Sequence, residues 1–292
     1  MIADIQPGIF DFDAATYHAD PCPYPSLSSS VANILLTQSP AHAWLAHPRL
    51  NPAFTVTRET DSRLDLGSIA HAMLLEPHTD PIVIVDAADW RTKAAKEQRD
   101  AAHAAGKFAI LAHKYADVQA MVIAARAYID TTELAGIFET GDAERTIIWQ
   151  EGETWCRARP DLLSADRRII VDYKTTDSAA PDAFSKQIGR MGYDLQSEFY
   201  SRGMFAITGR EDAAFVFLVQ EITRPYACSL ISLSNAYREV GQLKVKRALS
   251  IWDKCTHQHS WPGYDTRILY CEPKPWDLID AESTESTQEE ST

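Results

Sequence analysis

The sequence predicts a mixed α/β fold in which a central sheet carrying an antiparallel meander is flanked by helices. Apolar residues recur at the helical period over residues 66–74, 93–130 and 235–256. Residues 146–176 instead break into short β-rich runs punctuated by Glu151-Gly152 and Ala165-Asp166. The resulting order is helices, meander, helices, hairpin, helix, with no internal repeat, which points to one domain built on one mixed sheet.

Each element has its own local reason. Residues 1–25 hold Pro7, Gly8, Pro21, Pro23 and Pro25 and read as an irregular arm. Ser28 or Ser29 can cap a short helix whose Val31, Ile34 and Leu35 share a face, and SPAHAWLAHP is a second helix stopped by Pro48. DSRLDLGSIAHAMLLEP places Leu66, Ile69, Ala70, Met73 and Leu74 at helical spacing up to Pro77. PIVIVD is a short strand, and the alanine- and lysine-rich residues 93–130 fit one or two helices. After the meander come helices at 181–190 and 194–207, a strand pair at 213–221 and 226–233, and a long helix at 235–256.

Composition narrows the class. The 292 residues are 45% hydrophobic and 24% charged, enough for a sizeable core. No run of eighteen apolar residues and no basic, apolar leader occurs, so a cytoplasmic protein without membrane contact is expected. Five cysteines, never in a CxxC pair, argue for reduced thiols over a disulfide framework or zinc knuckle. The net charge of -13 is unusual for a protein that binds phosphates, but six acidic residues fall in 277–292, a polar segment without a base that reads as a disordered acidic tail.

The chemically dense stretch is RPDLLSADRRIIVDYKTT, residues 159–176. Strand alternation sends Asp172 and Lys174 to one face and Tyr173 to the other. If TWCRARPD pairs with RIIVDYKTT, bringing Asp161 beside Asp172 calls for a bend or bulge. Two adjacent carboxylates repel unless a cation lies between them, and a hard divalent ion suits oxygen donors; Lys174 can then orient water or stabilise charge on a phosphate. The alternative is an exposed Asp-Lys pair on a surface strand with a separate loop aspartate. Two helices add candidates by spacing alone. Gly67 and His71 share a face, where the missing side chain allows close packing and the imidazole can reach a metal; Gln196 and Tyr200 can offer an amide and a phenol to one phosphate or base.

Pro160-Asp161 followed by Asp172-Tyr173-Lys174 resembles the PD-(D/E)XK nuclease superfamily, whose restriction-endonuclease-like core is the fold it implies. Gly67-Ser-Ile-Ala-His71 and Gln196-Ser-Glu-Phe-Tyr200 resemble the GxxxH and QxxxY helices of its RecB-like subgroup, and the four elements occur in the expected order. The narrower resemblance, over roughly residues 15–275, is to the nuclease domains of exodeoxyribonuclease VIII (RecE) and its phage relatives. It implies a single nuclease domain at 26–276, between the arm at 1–25 and the tail at 277–292. It implies a magnesium-dependent exonuclease, with manganese as substitute, that digests one strand of linear duplex DNA from its 5′ end. The product would be a 3′ overhang for recombination through a single-strand annealing partner, and the enzyme a homo-oligomeric ring around DNA. Carried over by residue, His71, Asp161 and Asp172 are metal ligands, Lys174 is the catalytic lysine, and Gln196 and Tyr200 form the DNA-contacting helix; Glu144, ahead of the first meander strand where relatives also have an acidic residue, reads either as a residue behind the ligands or as a surface carboxylate.

The late cysteines, Cys228, Cys255 and Cys271, are too far apart for the tight trio of some RecB-like iron-sulfur nucleases, so no such cluster is expected. A phosphate track could draw on Arg157, Arg159, Arg167, Arg168, Lys186, Arg190 and KVKR at 244–247, each also readable as solvated charge. His257 and His259 read as a polar helix end, and the tryptophans as core anchors. Two other functions fit the same residues: an endonuclease of restriction or CRISPR type, and a DNA-binding module that has lost catalysis.

Overall fold

The computed structural model describes residues 5–54, 62–76 and 82–273. The stretch expected to be irregular carries β1 (Gly8–Phe10) and α1 (Ala14–His18), the helix capped where Asp13 accepts the Thr16 N–H at 2.7 Å. Next come β2 (Leu27–Ser28), α2 (Ser29–Thr37), with Ser28 as its cap, and α3 (Pro40–Ala46). They are followed by α4 (Ser62–Leu75), β3 (Ile82–Val85), α5 (Lys93–Ala104), β4 (Phe108–Leu111) and α6 (Ala112–Ile129). A strand therefore interrupts the helical region 93–130. Gly106, at φ +73°, ends α5, and the β-prone Phe-Ala-Ile-Leu that follows pairs in parallel with β3.

The remaining elements are α7 (Ile137–Thr140), β5 (Asp142–Ala143), β6 (Thr146–Glu151), β7 (Thr154–Ala158), β8 (Leu162–Leu163), β9 (Ile169–Thr176), α8 (Pro181–Met191), α9 (Tyr193–Thr208), β10 (Ala214–Glu221), β11 (Cys228–Ile231) and α10 (Asn235–Gln258). The central sheet has the order β11-β10-β9-β8-β5 and is mixed: β9 and β10 run parallel, the other pairs antiparallel. A second sheet has the order β1-β6-β7-β2, and β3 with β4 forms a third.

The meander is thus divided between two sheets. β6 and β7 make a hairpin about Gly152, at φ +63°, but β7 then leaves the ladder at Pro160, which has no N–H to donate. It is the two-residue β8 that pairs with β9, in the register Leu162 to Val171 and Leu163 to Ile170. The chain crosses from the central sheet to the second at Glu144 and Arg145 and returns at Arg159 to Asp161. The crossings are stitched together: the Glu144 N–H donates to the Asp161 carbonyl at 3.0 Å, and Arg159 Nε donates to the Glu144 carbonyl at 3.0 Å.

Alternation along β9 and β10 separates two cores. Ile170, Phe215, Phe217 and Val219 pack with Phe184, Leu195, Phe199 and Trp252 from α8, α9 and α10, and with Trp149 of the second sheet. Val171, Tyr173 and Leu218 pack on the other side with Ile69 and Leu74 of α4 and Met121 and Ile129 of α6. Close approach of α9 is built into the sequence, since a Cβ at Gly203 would collide with the Trp149 ring and one at Gly241 with the Asp194 carbonyl. The compact unit ends at Trp261; the described residues after it, 262–273, contain no helix or strand, and the tail expected at 277–292 lies outside the described residues.

Candidate active site

β9 sets the site. Tyr173 points into the α4–α6 core, where its phenol donates to Gln220 Oε1, and Gln220 in turn donates to the Met121 carbonyl at 2.9 Å and the Tyr226 carbonyl at 3.2 Å. With that side chain anchored, strand geometry turns Asp172 and Lys174 to the opposite face. Asp172 is buried: Lys174 Nζ pairs with its Oδ1, and Gln196 Nε2 donates to its Oδ2 at 2.7 Å. The Lys174 ammonium also lies 5.2 Å from the centre of the Tyr193 ring.

Asp161 needs no bulge to reach this place, contrary to the sequence expectation. Extending the β8–β9 register by one residue puts it opposite Asp172, and its Oδ2 accepts the Tyr173 N–H at 2.7 Å. The tight connection between the strands, where Ser164 N–H donates to the Ile169 carbonyl at 2.9 Å, shortens the loop that expectation assumed.

His71 arrives on α4. Its helix can lie against the end of β9 because Gly67 has no side chain; a Cβ there would collide with Thr175 Oγ1. His71 Nε2 lies 3.1 Å from Asp161 Oδ1 and 3.5 Å from Glu144 Oε1. Glu144 holds the left-handed backbone conformation, φ +55°, at the first sheet crossing, and its Oε2 lies 3.1 Å from Arg159 Nε. One donor atom each from His71, Glu144 and Asp161 therefore falls within a 4.8 Å cluster.

Burial by itself would lower the His71 pKa, but the carboxylates of Asp161, Glu144 and Asp172 reverse this and push it up to about 9. Burial, then the charge of Asp161, pushes Glu144 up to about 7, and burial pushes Asp172 up to about 6 against the pull of Lys174. Asp161, although burial opposes it, is held below the usual carboxylate range by His71, Lys174 and the Tyr173 amide. Lys174 is raised, since Asp172 and Asp161 outweigh burial, and stays an ammonium. Three carboxylates and one imidazole thus gather oxygen and nitrogen donors at one place, with the Lys174 ammonium and the Arg159 guanidinium at its edges. Hard oxygen donors with one imidazole suit magnesium or manganese, so the residues present fit a divalent cation.

Residues 30–274 match the family described as PDDEXK-like domain of unknown function (DUF3799). The chain belongs to this family. No curated protein matches the sequence. The structure is similar to the crystal structure of a putative exonuclease from Eubacterium rectale, with a TM-score of 0.58 and 14% identity over 92% of this chain and 98% of that one. At that identity the likeness bears on the fold alone.

In this PDDEXK-like domain Asp161 of the Pro-Asp pair lies opposite Asp172, Lys174 pairs with Asp172, and His71 lies beside Asp161. The α9 pair is different from its sequence reading. Gln196 is committed to Asp172, and Tyr200 is buried, edge-on to Phe215 with its phenol 3.5 Å from the Arg159 carbonyl. Both side chains have inward partners in place of an open face.

The expected arginine track is also largely engaged. Arg157 is buried, donating to the Ser26 carbonyl at 2.7 Å and lying 3.4 Å from Asp20 Oδ1; Arg167 pairs with Asp142, and Arg168 with Asp166 and Asp212. Arg159, read from the sequence as part of that track, belongs to the site through Glu144. Its signal was its place immediately before Pro160-Asp161. Trp149 and Trp252 are core anchors as expected, and His257 pairs with Asp253 and Glu153 at the end of α10.

Proposed function

We propose that this PDDEXK-like domain is a metal-dependent deoxyribonuclease of the cytoplasm, and specifically an exonuclease that works from the ends of linear duplex DNA. The observation that carries the reading is the convergence of His71 and Asp161 beside a buried Asp172–Lys174 pair. The neighbour of the same fold from Eubacterium rectale is described as a putative exonuclease, and the narrower activity is proposed by analogy with that description. The resemblance to exodeoxyribonuclease VIII supports 5′ to 3′ polarity, a ring of identical subunits and delivery of a 3′ overhang to an annealing protein for recombination.

In the reaction a water oxygen bonds to phosphorus and the bond from phosphorus to the 3′-oxygen breaks; the proton lost by the attacking water passes to solvent, and the departing 3′-oxygen takes one from solvent to become a hydroxyl. Magnesium, or manganese in its place, would be held by His71 and Asp161, while Asp172, expected from the sequence as a third ligand, has its two oxygens engaged by Lys174 and Gln196; when bound the ion supplies Lewis-acid polarisation and a more acidic water. Lys174, paired with Asp172 through its ammonium, has further N–H protons with which to orient the attacking water and to meet charge developing on the phosphate. Asp172 keeps that ammonium charged and aimed, and Gln196 fixes Asp172. Tyr200 supports the Arg159 backbone through its phenol.

The test is digestion of linear duplexes labelled separately at the 5′ and 3′ ends, with a covalently closed circle alongside, in magnesium, calcium or chelator. Asp161→Ala, Asp172→Ala and Lys174→Ala should each abolish magnesium-dependent release while the circular dichroism spectrum is kept; full activity in any of them rejects the assignment. A cut circle would favour an endonuclease, and binding without turnover an inactive module.

A further inference from the structure

We infer that Glu144 is a direct ligand of the divalent cation and that Arg159 is the positioning residue that aims it. The inference rests on the metal-dependent reading above and deepens it. Three constraints fix the Glu144 carboxylate. Its main chain is tied to a second ligand residue, the N–H donating to the Asp161 carbonyl at 3.0 Å. Arg159 Nε donates to the Glu144 carbonyl at 3.0 Å and lies 3.1 Å from Oε2, so one guanidinium grips both ends of the residue. With Oε2 engaged, Oε1 is the oxygen left to turn inward, and it lies 3.5 Å from His71 Nε2, the atom that Asp161 Oδ1 also approaches at 3.1 Å.

The donor set drawn from three separate segments is thus one imidazole nitrogen and two carboxylate oxygens. Asp172, whose two oxygens answer to Lys174 and Gln196, belongs to the neighbouring half of the site. An arginine engaging the outer oxygen of a ligating carboxylate is the kind of outer contact that orients a ligand and sets its strength.

The alternative is a buried Glu144–Arg159 ion pair that only braces the sheet crossing, and metal affinity separates the two. Manganese binding to the DNA-free protein would be measured by electron paramagnetic resonance of the free ion and by calorimetry, on wild type, Asp161→Asn, Glu144→Gln, Glu144→Asp and Arg159→Met. Glu144→Gln should weaken binding at least about tenfold, as Asp161→Asn does, and Arg159→Met by about tenfold to a hundredfold. Glu144→Asp keeps the charge but shortens its reach by one methylene, so it too should weaken binding, and it serves where the glutamine variant fails to fold. The inference is overturned if Glu144→Gln and Glu144→Asp bind manganese as wild type does, with only a lower melting temperature, while Asp161→Asn has lost the ion. A wild-type protein that binds no manganese overturns the metal-dependent reading itself.

Discussion

Gln196 shows what a single residue's direction decides. Its amide hydrogen bond to a carboxylate with no solvent to replace it is worth about 1.5–3 kcal/mol, more than a bond between neutral groups. Gln196→Ala should therefore lower kcat with DNA affinity little changed, because it releases Asp172 and misdirects Lys174. A residue that gripped phosphate would give the reverse, and steady-state kinetics beside equilibrium binding distinguish them. Spacing four apart fixed that Gln196 and Tyr200 share a face of α9 but not where that face points, since orientation depends on packing against β6, β7 and β10. Asp172 and Lys174 were legible because strand alternation is local. Glu144 was visible only as an acidic residue ahead of a strand, since its place depends on a backbone bond to a residue seventeen positions later.

Gly67 carries the argument at the scale of an element. α4 reaches His71 into the site only by lying against Thr175, and a methyl group at Gly67 has nowhere to go. Gly67→Ala should cost about 1–3 kcal/mol by overpacking and lower activity further by moving His71. Adding Thr175→Ala, which removes the obstructing Oγ1, should restore much of both, as melting and nuclease assays of the double variant would show. Helices α8, α9 and α10 and the β10–β11 hairpin were readable because their periods run over many residues. β2, β5 and β8 are two residues each and have no period to read, so the division of the meander between two sheets was invisible.

A second prediction belongs to how elements are joined. Asp20, at φ +62°, is buried where Ser26 donates to it through N–H at 2.9 Å and Oγ at 2.7 Å, with His47 Nε2 and Arg157 Nη1 each 3.4 Å away. This cluster ties the amino-terminal segment and the end of α3 to β7. Arg157→Met removes the buried one of the two guanidiniums facing that carboxylate, Arg49 Nη1 remaining at 3.8 Å, and should cost about 3 kcal/mol in denaturant melts, the low end for a broken buried pair. Burial opposes ionisation of Asp20, yet His47, Arg157 and Ser26 hold its pKa below the ordinary 3.8. A depressed folded-state pKa means stabilisation that is complete above the ordinary value and is lost as pH falls through the folded one. Wild type should accordingly lose stability more steeply than Asp20→Asn as pH falls below about 4.

For the whole molecule the proposed function raises the question of how a chain of net charge -13 would approach DNA. Most of its described cations already face carboxylates, but Lys186 and Arg190 on α8 make no ion pair among the described residues and are exposed. α8 is held at the end of β9, where Gln187 Nε2 donates to Thr176 Oγ1 at 3.0 Å, two residues past Lys174. Replacing both cations with glutamine should lower the slope of log K against log salt for duplex binding by about 0.9 for each phosphate no longer neutralised. The charge-matched change at Lys246 and Arg247 on α10 should leave that slope unaltered, and fluorescence anisotropy across a salt series measures both.

The paired crossings between the sheets have a kinetic consequence. Glu144 and Tyr173 both spend their amide protons on Asp161, one on its carbonyl and one on its carboxylate, so those two protons exchange with solvent only when the crossings part. An ion held by the side chains at that point would act as a clasp on the opening, and deuterium uptake at these two amides should slow on adding it while the outer strands exchange at their former rate. The loaded and empty enzyme would then differ chiefly in how often one seam breathes.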